Sequence, residues 1–409
     1  MPVVAVAGGG PAGLIAAETI ATAGVRVVVF EHMASVGRKF LLAGRGGLNL
    51  THCEDLDTFL TRYRSPAACL VDAIRGFGPH DLRAWADGLG EETFVGSSGR
   101  VFPKSFRAAP LLRAWLRRLA ALDVEVRVRH EWRDWPLVVA DRDGVETDFA
   151  ADAVVLALGG ASWPRTGSDG RWSTRLPVTA LHASNVGFRV TWSEEFRTRF
   201  AGTPLKDVVL RVGAEYSRGD AMVTGSGVEG GAVYAVSSPL RADIERVGSA
   251  ELRVDLRPDQ TAETVAERLS RRRPKESTAS WLRGAGFAPI AVSLLREATT
   301  NKIPVDARAC AALIKAVPVA VVGVQGIERA ISTAGGVPFD AVDERFMLRT
   351  RPGVFVAGEM LDWDAPTGGY LLQACFSTGV AAGRGALAWL ADGNTLQRGS
   401  HSDGGVPAP

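Results

Sequence analysis

Three glycines and one acid near the N-terminus have the spacing of a nucleotide cradle. Gly8, Gly10 and Gly13 stand as G-x-G-x-x-G in VAVAGGGPAG, and Glu31 follows 18 residues beyond Gly13. In such a pattern the first glycine allows a tight turn and the second lets a pyrophosphate reach the backbone. The third lets a helix pack closely on a strand. The helix start offers unpaired N–H groups and the positive end of its dipole to the phosphates. A carboxylate at the end of the second strand accepts hydrogen bonds from a ribose diol and disfavours a 2′-phosphate. The motif alone is weak evidence, but here it follows an apolar strand and opens a helix. That context makes a dinucleotide site of it, in preference to a glycine-rich turn with no ligand.

The elements that position these residues are readable. Residues 3–7 (VVAVA) form the unbroken apolar run of a strand covered on both faces. Pro11 sits at the first helical position, which tolerates its missing N–H, and Ala12 begins a run of small residues suited to close packing. Residues 25–30 (VRVVVF) give a second strand, completing the start of a βαβ unit. Helical patterns follow over 55–75, 79–89 and 108–122, and 124–132 alternates as a strand. A small antiparallel meander then feeds a buried strand at 153–158. Parallel-sheet character returns at 353–358, before a long helix over 370–390.

A second match to the glycine pattern, Gly225, Gly227 and Gly230 in GSGVEG, has only a short apolar run before it and reaches Pro239 soon after. A proline there suits no crossover helix, so this segment reads as a turn.

NAD and FAD are separated by the later loops. GRKFLLAGRGGLNLTH (37–52) places Lys39, Gly44 and Gly46 in a second glycine-rich loop right after the second strand. VVLALGGASW ends a buried strand at Ala157, Gly159 and Gly160. VFVAGEM ends another at Gly358 and Glu359. Gly368, Gly369, Tyr370, Leu371 and Gln373 then open the long helix. Three separated loops at the carboxyl ends of parallel strands would wrap a long, extended ligand, and FAD is such a ligand. The helix N-terminus near residue 370 would stabilise negative charge on the flavin N1–C2=O edge.

The fold class expected is therefore α/β, a Rossmann-like FAD-binding domain carrying an inserted β-barrel-like plus helical domain. The FAD-binding domain is expected to be discontinuous, over 1–188 and 328–393. Residues 189–327 form the insertion, a substrate or cap domain, and 394–409 a polar, disordered tail. A chain of 409 residues with 46% apolar and 22% charged residues suits a globular enzyme of this size. A net charge of +2 gives no call for nucleic acid or an anionic membrane. The run Arg271-Arg272-Arg273-Pro274-Lys275 reads as a solvated face, with an RNA footprint as the alternative. The four cysteines are scattered and form no C-x-x-C pair, so no metal site is expected and a reducing cytoplasm fits. The first residues lack the basic stretch of a secretory signal, and no apolar run reaches the length that spans a bilayer.

Taken together, the N-terminal fingerprint, GRK…GRGGLNLTH, GRVFPKS (99–105), ALGGASWPRTGSDG, STAGGV (332–337) and GEMLDWDAPTGGYLLQ resemble one family. It is the BaiN/RdsA-type, YhiN-like NAD(P)/FAD-dependent oxidoreductases, within the wider two-dinucleotide-binding-fold flavoprotein group. The resemblance covers roughly residues 1–390. It implies non-covalent FAD in the outer domain, an inserted domain over the flavin and NAD(P)H as a transient co-substrate. Two departures mark a divergent subgroup: Leu48 stands where the family loop has a cysteine, and Leu371 where an amide is common.

In these loops the candidates for chemistry are Arg45, Asn49, Lys104 and Tyr370. Arg45 could clamp an anion or carbonyl, and Lys104 could hold a substrate carboxylate. Asn49 could meet the flavin or the substrate, and Tyr370 could donate a proton. Each also has a plain alternative as a surface, capping or packing residue. Among the tryptophans, Trp163 is the one expected near the ligand. The leading expectation is reduction of an activated, enone-like C=C bond in a small molecule. A flavoprotein acting on or docking to RNA, and a substrate oxidase using O₂, are the alternatives. Neither substrate nor oligomeric state is fixed by the sequence.

Overall fold

The computed structural model describes residues 1–396, except Ser65, Pro136 and the side chain of Arg45. Most of the 394–409 tail thus lies outside the described residues. Its first part is held: the Leu396 N–H donates to the Asp152 carbonyl at 3.1 Å.

A five-stranded, wholly parallel sheet organises the first unit, Met1–His182 with Thr333–Pro409. Its first three elements are β1 (Val3–Ala7), α1 (Pro11–Thr22) and β2 (Arg26–Glu31). Across the sheet the strands run Val354–Val356, Ala153–Leu156, β1, β2 and Glu125–Val128. The chain leaves β1 toward one side and later returns to its other side, so the strand order reverses at β1. In open α/β sheets that reversal is where ligands bind. Val4 and Val6 of β1 and Val28 and Val29 of β2 are fully buried. Each such side chain contributes about 1.5–3 kcal/mol.

Helix α1 begins at Pro11 and packs along the long C-terminal helix, Tyr370–Ala391. Glycine makes that approach possible, since a Cβ on Gly379 would lie 2.4 Å from the Ala12 carbonyl oxygen. Two other segments differ from the sequence reading. The helix expected over 55–75 is two short ones, Leu56–Leu60 and Ala68–Gly76, separated around Pro66, which disfavours helical backbone before it. The strand expected over 124–132 breaks at Arg129, whose φ is +60°. Glu125–Val128 completes the parallel sheet, whereas Glu131–Asp134 starts a three-stranded antiparallel sheet with Val138–Ala140 and Glu146–Asp148.

The second unit is Ala183–Ser332, with crossing points at 182/183 and 332/333 where the sequence reading has 188/189 and 327/328. Six antiparallel strands close into a barrel, from Phe188–Val190 to Val317–Val324. Four helices between Ala262 and Lys315 share its hydrophobic core. Gly225 to Gly230 form a turn and a short barrel strand. A Cβ on Gly227 would fall 1.8 Å from the Phe188 carbonyl oxygen, so this glycine serves strand contact. In the basic run, the Arg272 guanidinium lies over the Trp281 ring at 4.8 Å, while Arg271, Arg273 and Lys275 are exposed.

Candidate cofactor-binding site

The three fingerprint glycines do different things. A Cβ on Gly8, whose φ is +109°, would stand 2.2 Å from the Ala157 carbonyl oxygen, and one on Gly13 would stand 1.9 Å from that of Gly8. Both positions exclude a side chain because the backbone is close. Gly10 is the opposite: a Cβ there meets nothing within 4 Å. It faces open space at the N-terminus of α1. Glu31 ends β2 nearby and is buried. Its Oε2 accepts the Gly9 N–H at 2.9 Å, and its Oε1 accepts the Met33 N–H at 2.8 Å.

All of these but Gly13 and Met33 line an open cleft at the carboxyl edge of the parallel sheet. Gly8, Gly10, Pro11, Ala12, Glu31, Lys39, Ala157, Gly159, Gly358 and Glu359 all face it. So do Arg38, Trp132, Ser168, Trp172 and Arg175, which are outside the expected set of site residues. Trp163, expected near the ligand, is not part of the cleft wall; Trp132 and Trp172 are. Arg38 Nε, Trp132 Nε1 and Ser168 Oγ are buried with no hydrogen-bond partner among the described residues.

The later loops are tied together by side chains. Lys39 Nζ donates to Glu359 Oε2 and to Ser162 Oγ, each at 2.6 Å. Glu359 Oε1 accepts the Thr333 N–H at 3.0 Å, and Thr333 Oγ1 accepts the Ala161 N–H at 2.8 Å. Gly160 has no room for a Cβ, which would meet Thr333 Oγ1 at 2.3 Å. At the start of the long helix a Cβ on Gly369 would lie 2.5 Å from the Thr51 backbone. The Gln373 side chain joins the same contact, since Thr51 Oγ1 donates to Gln373 Oε1 at 2.7 Å and Gln373 Nε2 donates to the Phe77 carbonyl at 2.8 Å. Gln373 and Gly369 therefore fasten the 37–52 loop to the helix.

The family described as HI0933-like protein Rossmann domain matches residues 2–385. The chain belongs to the HI0933-like family. It is an FAD-dependent oxidoreductase with a Rossmann-like sheet, and the site fits that cofactor. The Gly10 gap at the N-terminus of α1 and the acid at the end of β2 together suit an adenosine diphosphate moiety. The chain is 26% identical to the 3-dehydro-bile acid delta(4,6)-reductase of Clostridium scindens, over 94% of this chain and 98% of that one. It is 24% identical to the ribosomal RNA dihydrouridine synthase of Escherichia coli, over 93% and 97%. A solved structure with the same fold is the 3-ketosteroid delta1-dehydrogenase of Sterolibacterium denitrificans. Its TM-score is 0.52 at 13% identity, covering 95% of this chain and all of that one. Among the described residues, no helix is long and apolar enough to cross a membrane.

Within this HI0933-like chain the expected chemical residues are dispersed. Lys104 is exposed and paired with the equally exposed Glu92, whose hydrogen bond raises the ammonium's pKa. It does not line the cleft, because its loop turns it to solvent. Arg45 lies on a short 3-10 helix, Gly44–Gly46, and its side chain is outside the described residues. Asn49 keeps a buried Oδ1 without a partner among the described residues. Leu48 is fully buried, and Leu371 packs against the core, so both departures fill space.

Tyr370 is held within a cluster that the sequence did not reveal. Its hydroxyl donates to Glu54 Oε1 at 2.7 Å, and Arg62 Nη2 donates to Glu54 Oε2 at 2.6 Å. Burial, then the Glu54 contact, pushes the Tyr370 phenol well above its ordinary range. Burial also works against the Glu54 charge, but the hydrogen bonds from Arg62 and Tyr370 outweigh it and lower that carboxyl's pKa. Tyr370 is thus built to stay protonated. Cys375 does line the cleft, and burial pushes its thiol up to about 12, with Glu359 adding to the effect and Lys39 opposing it.

Proposed function

We propose that this protein uses NAD(P)H to reduce a C=C bond conjugated to a carbonyl in a small-molecule substrate. The reading rests on one observation above the rest. Full-length relatives named as a delta(4,6)-reductase and a dihydrouridine synthase both, by their names, saturate a C=C bond conjugated to a carbonyl. Their substrates differ greatly, so the shared feature is the bond. Bound FAD supplies a centre that accepts and returns hydride.

The chain's own residues have supporting parts in this proposal. Gly8, Gly10 and Glu31 bind the adenosine diphosphate half. The Lys39–Glu359–Thr333 network keeps the loops at fixed spacing around the remainder. Gly369 and Gln373 fix the start of the long helix, whose positive end favours negative charge on a neighbouring ring. Tyr370, held by Glu54 with a raised pKa, fits a positioning role better than that of a proton donor. Cys375, protonated at neutral pH, fits direct hydride passage without a thiol relay.

The deciding experiment is anaerobic. Protein reduced by NADH or NADPH is mixed in turn with a planar 4-en-3-one, with unmodified ribosomal RNA and with O₂, and flavin absorbance is followed. Rapid reoxidation by the enone supports the proposal. Reoxidation by RNA alone, or by O₂ with neither of the others, replaces it with the RNA-modifying or the oxidase reading.

A further inference from the structure

We infer that Trp363, Tyr63 and Tyr370 form a one-electron relay that carries oxidising equivalents from the cofactor cleft to a phenol paired with Glu54. The relay goes beyond the hydride reaction and takes no part in it.

The Trp363 indole N–H donates to the Gly358 carbonyl at 3.0 Å, and Gly358 lines the cleft. Cys375, also on the cleft wall, lies near enough to Tyr63 to act on its charge. The Tyr63 ring is 6.2 Å from that of Trp363 and 6.5 Å from that of Tyr370, centroid to centroid, edge-on in both pairs. Phe59 packs between the two tyrosines, 5.9 Å from Tyr63 and 4.8 Å from Tyr370. All four rings are buried. Tryptophan and tyrosine are the aromatic side chains that give up one electron most readily, and rings in such near contact exchange it rapidly.

Hydrogen bonds give the relay its direction. A phenol that has lost an electron is a strong acid, so the electron vacancy settles where the proton has a base. Tyr63 donates its single phenol proton to the Tyr370 carbonyl at 2.7 Å. An amide carbonyl is too weak a base to keep that proton, so the vacancy moves on. Tyr370 instead donates to Glu54 Oε1 at 2.7 Å. Arg62 holds the same carboxylate through Nε at 3.1 Å and Nη2 at 2.6 Å, and its hydrogen bonds help to keep Glu54 ionised. Arg62 and Tyr63 are neighbours in the chain, so one short segment serves both the Tyr370 carbonyl and the base that receives its proton.

Flavin chemistry with O₂ includes one-electron steps, and an oxygen-centred radical is the oxidant of the relay. Such a radical in the cleft takes one electron from Trp363 and becomes an anion, which water protonates. Trp363 recovers an electron from Tyr63, and Tyr63 recovers one from Tyr370. As Tyr370 is oxidised, its hydroxyl proton passes to Glu54 Oε1. A soluble reductant of the ascorbate class then returns the electron, Glu54 returns the proton, and the phenol is restored.

The test uses full-length protein loaded with FAD, because blue light makes a bound flavin a one-electron oxidant. The chain has four tyrosines, Tyr63, Tyr216, Tyr234 and Tyr370. Changing Tyr216→Phe and Tyr234→Phe gives a parent that keeps only the two in the relay. Samples illuminated without O₂ are frozen and read for a tyrosyl radical by electron paramagnetic resonance. We expect the radical in the parent and the loss of most of it in Tyr370→Phe and in Trp363→Phe. Glu54→Gln keeps the rings and removes the base, so the yield should fall severalfold. A cluster that serves packing alone gives no tyrosyl radical in the parent, or an equal yield in Glu54→Gln, and either result overturns the inference. Should the variants fail to fold, the parent in heavy water decides. Radical formation slowed severalfold supports the coupled proton transfer, and an unchanged rate overturns it. A parent that takes up no FAD would overturn the cofactor reading instead. The relay is then tested by the same readout, with flash-generated ruthenium(III) tris(bipyridine) as the oxidant.

Discussion

The Glu31 carboxylate accepts the Gly9 N–H at 2.9 Å, joining the acid at the end of β2 to the turn at the end of β1. One residue thus shapes the glycine loop and presents the group that a ribose would meet. Glu31→Ala should weaken FAD retention by about 1.5–3 kcal/mol, or ten- to more than a hundredfold. FAD fluorescence titration of stripped protein measures this. Unaltered affinity would show that the acid is no ribose ligand.

The glycines of the fingerprint should separate by phenotype. Gly10→Val adds atoms to open space, so the variant should fold with a near-normal melting temperature yet retain little or no FAD. Gly8→Ala forces a Cβ against the Ala157 carbonyl and should destabilise the sheet itself. Gly225→Ala, whose Cβ would come no nearer than 4.0 Å to Arg197, should alter neither property. Melting curves paired with FAD content distinguish the three. A Gly10→Val protein that purifies fully loaded would contradict the placement of the pyrophosphate.

Cys375 should stay a neutral thiol throughout the working range. Its folded pKa near 12 lies above the ordinary 9.0, so the unfolded chain ionises first as pH rises. The thiol's contribution to stability is whole below about pH 9 and declines as pH climbs from there toward 12. Flavin reduction should not need it. A variant with all four cysteines changed to Ala or Ser, fully FAD-loaded, should be reduced by NAD(P)H at the parent rate in anaerobic stopped flow. A loss beyond about tenfold, ~1.4 kcal/mol in the barrier, would restore thiol chemistry.

Tyr370→Phe should cost about 1 kcal/mol of stability, the worth of one hydrogen bond, and leave the pH dependence of turnover in place. Glu54 has a lowered folded pKa, so its contribution is whole above the ordinary 4.5 and disappears as pH falls below that value. Disappearance of an alkaline limb from the rate profile of Tyr370→Phe would make the phenol the proton donor after all.

Local pattern carried much of this architecture. The β1–α1–β2 unit, Glu31 and the glycine loops after the later strands follow from apolar runs, a proline at a helix start and positions that only glycine fills. The six-stranded barrel was foreseen as a class, because short alternating strands mark it, but its register depends on contacts such as that of Gly227 with Phe188, which lie far apart in sequence. The place of Trp132 and Ser168 on the cleft wall depends likewise on contacts distant in sequence. Nothing in EVRVRHEWRDW or PRTGSDG signals that one indole N–H and one hydroxyl are buried without partners. Lys104 is the converse case, a charge in a motif-like loop that the fold turns to solvent.

The most direct measurement is to purify the protein, release whatever it carries by heat or acid, and identify and count it by chromatography. The protein should be yellow and yield FAD at close to one per chain, with no covalent attachment. Stoichiometric NAD or FMN with no FAD would contradict it.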